Sequence, residues 1–124
     1  MYSVTVSEPF IAQHILTVPD APPEESTLHS HAFEAEVTFR GRELGEHGYL
    51  LDIDLAGDAL AGVVDAYRDE TLNDHLEGNP SAERLARRLF DDLAGTVDAP
   101  AVETLTVAVH EDDTAVVSVA GPLE

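Results

Sequence analysis

The strongest constraint on this chain is the order in which two periodicities follow one another. Residues 31–40 alternate strictly, with Phe33, Ala35, Val37 and Phe39 on one side and Glu34, Glu36 and Thr38 on the other. That is the period of a strand with one buried face. An earlier stretch, Tyr2 to Val18, opens with the same alternation, Tyr2, Val4 and Val6 against Ser3, Thr5 and Ser7. It predicts a first strand with a bulge or bend near Pro9, because proline cannot donate to a ladder. The segment from Pro19 to Thr27, PDAPPEEST, carries three prolines and no apolar period, and is expected to be a loop.

The pattern then changes to a helical one. Leu55, Ala59, Leu60, Val63, Val64 and Tyr67 recur at helical spacing, with Asp54 as the expected N-cap. After a polar connection, Asn79 and Pro80 are expected to cap and open a second helix, with Ala82, Leu85, Ala86, Leu89, Phe90 and Leu93 inward and Gly95 as its stop. Two more alternating segments, about Glu103 to His110 and Thr114 to Ala120, flank the acidic turn Glu111-Asp112-Asp113 and read as a hairpin. The order β-β-α-α-β-β gives an α+β fold, a four-stranded and largely antiparallel sheet with two helices on one face. At 124 residues this makes one domain spanning 1–124. Such a sheet leaves a face and two edges open, a common reason to oligomerise.

Composition restricts the chemistry. Twenty-five acidic residues face six basic ones, all arginine, for a formal charge of −19. Molar salt shortens the Debye length to about 3 Å and relieves the self-repulsion of such a surface. A halophilic, cytoplasmic protein that loses its fold at low ionic strength is expected. Nucleic acid and anionic membrane are disfavoured as partners, and neither a signal peptide nor a membrane span is expected. With no cysteine, any metal must be held by histidine and carboxylate.

Among six histidines the informative pair is His29-Ser30-His31. In extended chain, alternate residues project to the same side, so two imidazoles there can meet one ion, with His14 on the neighbouring strand as a third. The same spacing suits strand-end histidines satisfied by backbone groups. His31 also shares its register with Phe33 and Val37, so metal ligands here must sit at the end of the sheet or be re-aimed by a bulge.

Several segments, in order and over roughly residues 8–119, resemble one enzyme family. Phe10-Ile11-Ala12-Gln13-His14-Ile15-Leu16 is similar to its F-x-A-x-H-x-L opening, and Leu28-His29-Ser30-His31 to its L-H-G-H with serine for glycine. Gly48-Tyr49-Leu50-Leu51-Asp52 resembles G-x-x-x-D, and Leu72-Asn73-Asp74 with Asn79-Pro80-Ser81-Ala82-Glu83 resembles L-N-D followed by N-P-T-x-E. His110-Glu111 sits where the family has a glutamate after its third strand. The family is that of 6-pyruvoyl-tetrahydropterin synthase and 6-carboxytetrahydropterin synthase.

The resemblance implies the tunnelling fold, with trimers that close a β-barrel and pair into hexamers. It implies zinc held by His14, His29 and His31, a substrate of the 7,8-dihydroneopterin triphosphate class, and Glu111 anchoring the pterin ring. With the family's site between subunits, Glu111 is expected to serve a pocket whose zinc belongs to a neighbouring chain. It implies a pathway of tRNA deazapurine modification (queuosine or archaeosine) or of folate-like synthesis.

Two positions depart from the pattern. The family's catalytic cysteine, four residues before the first histidine of L-H-G-H, is Glu25 here, and its L-D-H pair aligns with Asp69 and Glu70. Glu25 as general base points to aldolase-like carbon–carbon cleavage of dihydroneopterin. His75 can act as a substitute imidazole, or the chain is a non-catalytic paralogue that binds zinc and pterin. Arg84, Arg87 and Arg88 are expected on the solvated face of the second helix. If no arginine lines the pocket, a dephosphorylated pterin is the better ligand.

Overall fold

The computed structural model describes residues 1–123. Four strands form one antiparallel sheet in chain order: β1 (Tyr2–His14), β2 (His29–Gly41), β3 (Thr104–Glu111) and β4 (Ala115–Pro122). Between β2 and β3 lie α1 (Ile53–Asp65), a single 3₁₀ turn (Leu72–Asp74) and α2 (Ala82–Thr96). The β-β-α-α-β-β order expected from the alternation is the order found.

Alternation decides which face is dry. Phe10 and Ala12 on β1, Phe33, Ala35, Val37 and Phe39 on β2, and Leu105, Val107 and Val109 on β3 are all buried. They pack with Leu60 and Val64 of α1 and Leu85, Leu89 and Leu93 of α2 in one apolar cluster. Each such side chain withdrawn from water stabilises the fold by about 1.5–3 kcal/mol before chain entropy is set against it. The intervening residues, such as Thr5, Glu34, Glu36 and Thr38, lie on the other, helix-free face.

Several local expectations are corrected. Pro9 introduces no bulge: β1 pairs with β2 without interruption from Tyr2↔Gly41 to His14↔His29. β1 is an edge strand, and Pro9 O accepts from Arg68 on its outer side, so the missing N–H also faces outward, where no ladder needs it. The cap of α1 is Asp52, whose Oδ1 accepts from the N–H of Asp54 at 2.9 Å. Leu50 and Leu51 are buried just upstream and fix Asp52 as the last extended residue. The inward stripe of α1 is consequently Ala56, Leu60 and Val64, followed by Tyr67, while Leu55 is 45% exposed.

α2 starts later than Asn79-Pro80. Ser81 caps it by accepting from Arg84 N–H, since Asn79 Oδ1 is taken by Thr17 N–H at 2.8 Å. Gly95 lies inside the last turn, and the helix ends at Val97, which is extended (φ −88°, ψ 124°). The final turn is displaced by one residue: Glu111 closes β3, and Asp112 takes the left-handed conformation, φ 50°.

The outer edge of β1 is partly covered. Asp69 N–H donates to Ile11 O at 2.7 Å, and Gln13 N–H donates to Glu70 O at 2.9 Å. Among the described residues, the outer edge of β4 carries no strand.

Candidate metal centre

Register explains how three histidines distant in sequence meet. His14 and His29 are paired residues on β1 and β2, and His31 is paired with Ala12 two positions along the same face. The parity that sends Phe33 and Phe10 into the core therefore sends all three imidazoles to the same side, at the end of the sheet. No bulge is involved. The ring centroids stand 4.6, 4.8 and 4.9 Å apart. Each residue offers a ring nitrogen within 4.8 Å of the other two.

Past the helices, this end is covered by connecting chain, and that chain supplies hydrogen-bond acceptors. His14 Nδ1 lies 2.9 Å from Pro80 O, His29 Nδ1 lies 2.7 Å from Thr27 O, and His31 Nδ1 lies 2.7 Å from Asp112 Oδ2. Carbonyls and carboxylates only accept, so each contact places the proton on Nδ1 and leaves the Nε2 lone pair free. Nε2 of His14 and of His29 is buried and has no partner. His14 is only 3% exposed. A buried ring nitrogen without a partner costs about 1–3 kcal/mol, which a bound cation would remove.

Electrostatics agree with ligation. Burial lowers the His14 pKa; the Pro80 carbonyl opposes this, and the neighbouring His29 and His31 rings reinforce it. His14 is thus kept neutral, the form that binds metal. Asp112 is held below the usual carboxylate range by its hydrogen bond to His31 and by Ala32 N–H. The donor set suits zinc, which takes three imidazoles and keeps a further position.

Glu111 joins this group, its Oε1 3.3 Å from His31 Nε2. In the single chain its carboxylate lies against its own His31. Glu25 stands in the exposed 15–28 connection, its N–H bonded to Pro22 O and its carbonyl accepting from Leu16 N–H, with the carboxylate in solvent. Asp69 and Glu70 do not enter the histidine cluster. Asp69 is left-handed (φ 60°) against the edge of β1, and Glu70 Oε1 lies 3.1 Å from His75 Nε2.

All six arginines have partners elsewhere. Arg40 meets Thr106, Arg42 meets Glu103 and Arg68 meets Glu8 and Asp65; Arg84 meets Glu77 O, while Arg87 and Arg88 pair with Asp91 and Asp92 along α2. The α2 pairs are the helical-spacing contacts expected from the sequence.

Sequence reasoning missed the groups that orient the rings. Asp112 carries no distinguishing signal within an acidic turn of an acidic chain, and the Pro80 and Thr27 carbonyls have none. Asn79-Pro80 was visible as a motif, yet its work is to carry the Pro80 carbonyl to His14 rather than to start a helix.

The family model described as 6-pyruvoyl tetrahydropterin synthase matches residues 3–122. No curated protein matches the chain by sequence. Among solved structures, the Plasmodium falciparum 6-pyruvoyl tetrahydropterin synthase superposes with a TM-score of 0.82 at 15% identity, covering 98% of each chain. The Caenorhabditis elegans 6-pyruvoyl tetrahydropterin synthase gives 0.77 at 18% identity, over 97% of this chain and 95% of its own. A Plasmodium vivax 6-pyruvoyltetrahydropterin synthase, in a variant whose catalytic glutamate is replaced by alanine, gives 0.84 at 15% identity over 98% of each chain. At these identities the structures establish the fold, and the match of the family model over nearly the whole chain makes this protein a member of the 6-pyruvoyl tetrahydropterin synthase family.

Proposed function

We propose that this chain is a zinc-dependent pterin synthase or lyase that works on the side chain of a 7,8-dihydropterin. The observation that carries the reading is the pair of buried, unpartnered Nε2 atoms on His14 and His29, in rings whose Nδ1 atoms are already committed. His14, His29 and His31 would hold the ion. Bound there, zinc would supply Lewis acidity, easing the ionisation of a substrate hydroxyl near neutral pH.

The protein's own groups do the rest. Pro80 O, Thr27 O and Asp112 hold the three rings in one orientation, so no side-chain freedom is lost when substrate arrives. Glu111 accepts hydrogen bonds from the pterin ring N–H and amino group, a charge-assisted contact that selects that edge. Glu25 takes the proton from the substrate's side chain. A carboxylate serves as a base at neutral pH only if burial raises its pKa, and Glu25 is exposed in the single chain. Self-association across the open β4 edge, into the trimers or hexamers implied by the resemblance, is proposed to enclose it. Support for a glutamate in this role comes from the Plasmodium vivax enzyme, whose replaced glutamate is described as catalytic. Asp69 and the Glu70–His75 pair would orient the base of an adjoining subunit.

The commitment of all six arginines to other partners favours a dephosphorylated dihydropterin over the triphosphate. With dihydroneopterin and Glu25 as base, the reaction is cleavage of the side-chain carbon–carbon bond with release of glycolaldehyde. The exposure of Glu25 favours one competing reading, a paralogue that binds zinc and pterin without turning it over.

The two separate in one assay. Zinc-loaded protein is incubated in molar KCl with dihydroneopterin and, in parallel, with its triphosphate, and aldehyde and triphosphate release are followed. Glycolaldehyde from dihydroneopterin, abolished by Glu25→Gln, is the expected result. Pterin binding with no product from either substrate would establish the non-catalytic reading.

A further inference from the structure

The outer edge of β1 runs on past the end of the strand, and its partners change in kind. Outward-facing backbone groups recur at every second residue, Ile11, Gln13, Ile15 and Thr17. The first two are met by backbone: Ile11 O accepts from Asp69 N–H, and Gln13 N–H donates to Glu70 O. The next two are met by side chains. Asn73 Oδ1 accepts from Ile15 N–H at 2.9 Å while Asn73 Nδ2 donates to Ile15 O at 2.9 Å, and Asn79 Oδ1 accepts from Thr17 N–H at 2.8 Å. A carboxamide offers both a C=O and an N–H, as a peptide group does, so Asn73 stands in for the strand this edge lacks. The two asparagines hold residues that β2 no longer pairs, since the β1–β2 ladder ends at His14↔His29.

Leu16 lies between the two clamped residues, and its N–H donates to Glu25 O at 2.9 Å. Glu25 belongs to a compact turn. Glu25 N–H and Ser26 N–H both donate to Pro22 O, at 2.9 and 3.0 Å, and Ser26 Oγ and Thr27 Oγ1 donate to Pro23 O, at 3.2 and 3.3 Å. The turn is attached at two points: Leu16 N–H on one side and, through Thr27 O, the His29 ring on the other. Prolines that mark the segment as loop in the sequence also limit the shapes this turn can take. Pro80 O, one residue beyond Asn79, holds the His14 ring. One stretch, residues 73–80, therefore places both a histidine ring and the anchor of the Glu25 turn.

We propose that Asn73 and Asn79 are positioning residues for Glu25: by clamping Ile15 and Thr17 they fix Leu16, from which the Glu25 turn hangs, and so fix where the base meets the substrate side chain. The proposal rests on the reading of Glu25 as the base and adds what holds it. It gives the asparagines of the L-N-D and N-P segments a role that helix capping does not, since Ser81 caps α2. A glutamate on a free loop reaches the substrate in few of its conformations. A turn tied to the residues that follow His14, and to the His29 ring, keeps that reach within narrow limits.

The two positions make different demands, and aspartate separates them. Toward Thr17, Asn79 serves as an acceptor, which aspartate also supplies; Asn73 accepts and donates at once, and aspartate there would set a carboxylate against Ile15 O. Asn79→Ala, Asn79→Asp and Asn73→Asp are compared with wild type in molar KCl. Asn79 is partly exposed, so its variants are expected to fold, and far-ultraviolet circular dichroism checks all three. Exchange of the Leu16 amide is followed by nuclear magnetic resonance in the metal-free protein; kcat for glycolaldehyde release from dihydroneopterin, and the dissociation constant of that pterin, are measured with zinc present. In Asn79→Ala and Asn73→Asp, Leu16 should exchange about two- to tenfold faster and kcat should fall about 10–100-fold, with pterin binding unchanged. Asn79→Asp should stay close to wild type in every readout. Folded Asn79→Ala with wild-type kcat would overturn the proposal and leave Glu25 as the base. Equal losses in Asn79→Ala and Asn79→Asp would overturn it too, because the acceptor would not be what matters. Wild type that binds dihydroneopterin without turnover would remove the reading of Glu25 as base, and the positioning role with it.

Discussion

Tyr67 and His14 are both almost wholly buried on the same side of the same sheet, yet they are treated oppositely. The Tyr67 hydroxyl donates to Asp92 Oδ2 at 2.7 Å, so the polar atom that enters the dry middle of the molecule has a partner. His14 has one nitrogen bonded to Pro80 O and the other bonded to nothing. Among the described residues, the only buried side-chain nitrogen or oxygen atoms without partners are the Nε2 atoms of His14 and His29, at the end of the sheet. The middle is satisfied by the chain itself; the end leaves two ring nitrogens that the chain does not satisfy. One strand parity produces both, because Phe33, Ala35 and Val37 meet helices where His29 and His31 meet connecting chain.

The largest effect that would sharpen this contrast is Phe39→Ala. Phe39 is fully buried in the middle, and its truncation should cost about 3–5 kcal/mol in denaturant unfolding of the metal-free protein. A loss below 1 kcal/mol would mean that the middle is not the tightly packed region described. Asp112→Asn probes the other end. It should weaken zinc binding by about 10–100-fold, the effect of losing a group that holds a ligand ring, while the three rings themselves remain. Zinc affinity equal to wild type would show that Asp112 does not orient His31.

A smaller effect is expected at Tyr67. Burial, reinforced by the Asp92 hydrogen bond, raises its pKa well above the ordinary phenol value. The folded state therefore keeps the phenol protonated where the unfolded chain would ionise. The resulting stability is complete below about pH 10 and is lost as pH rises from there toward the folded value. Tyr67→Phe should cost about 0.5–1.5 kcal/mol at pH 8 and flatten the decline above pH 10. An unfolding curve with the same alkaline slope in both proteins would show that Tyr67 is not responsible for it.

The contrast also marks what the amino-acid order discloses. Buried strand faces and the inward stripe of α2 follow from period two and period 3.6, and the structure has Phe33 to Phe39 and Leu85 to Leu93 where those periods put them. Boundaries were harder, because several residues satisfy the same local rule. Asp52 and Asp54 both suit a cap, and burial of Leu50 and Leu51 decides between them. Pro9 suggested a bulge because sequence does not reveal which side of an edge strand faces solvent. For the histidines, the spacing of His29 and His31 allowed a common face, but only the pairing of His14 with His29 brings the third ring to it. Asp112 was hidden by composition: in so acidic a chain one more carboxylate carries no signal, and only its two-way clamp on Ala32 and its contact with His31 set it apart.

The most direct test of the central claim is a zinc titration of the metal-free protein, wild type beside His29→Ala, with bound metal counted after gel filtration. Three imidazoles sharing one ion predict a single equivalent retained by wild type and none by the variant. Zinc that is not retained by wild type, or that is retained equally after His29 is removed, would contradict it.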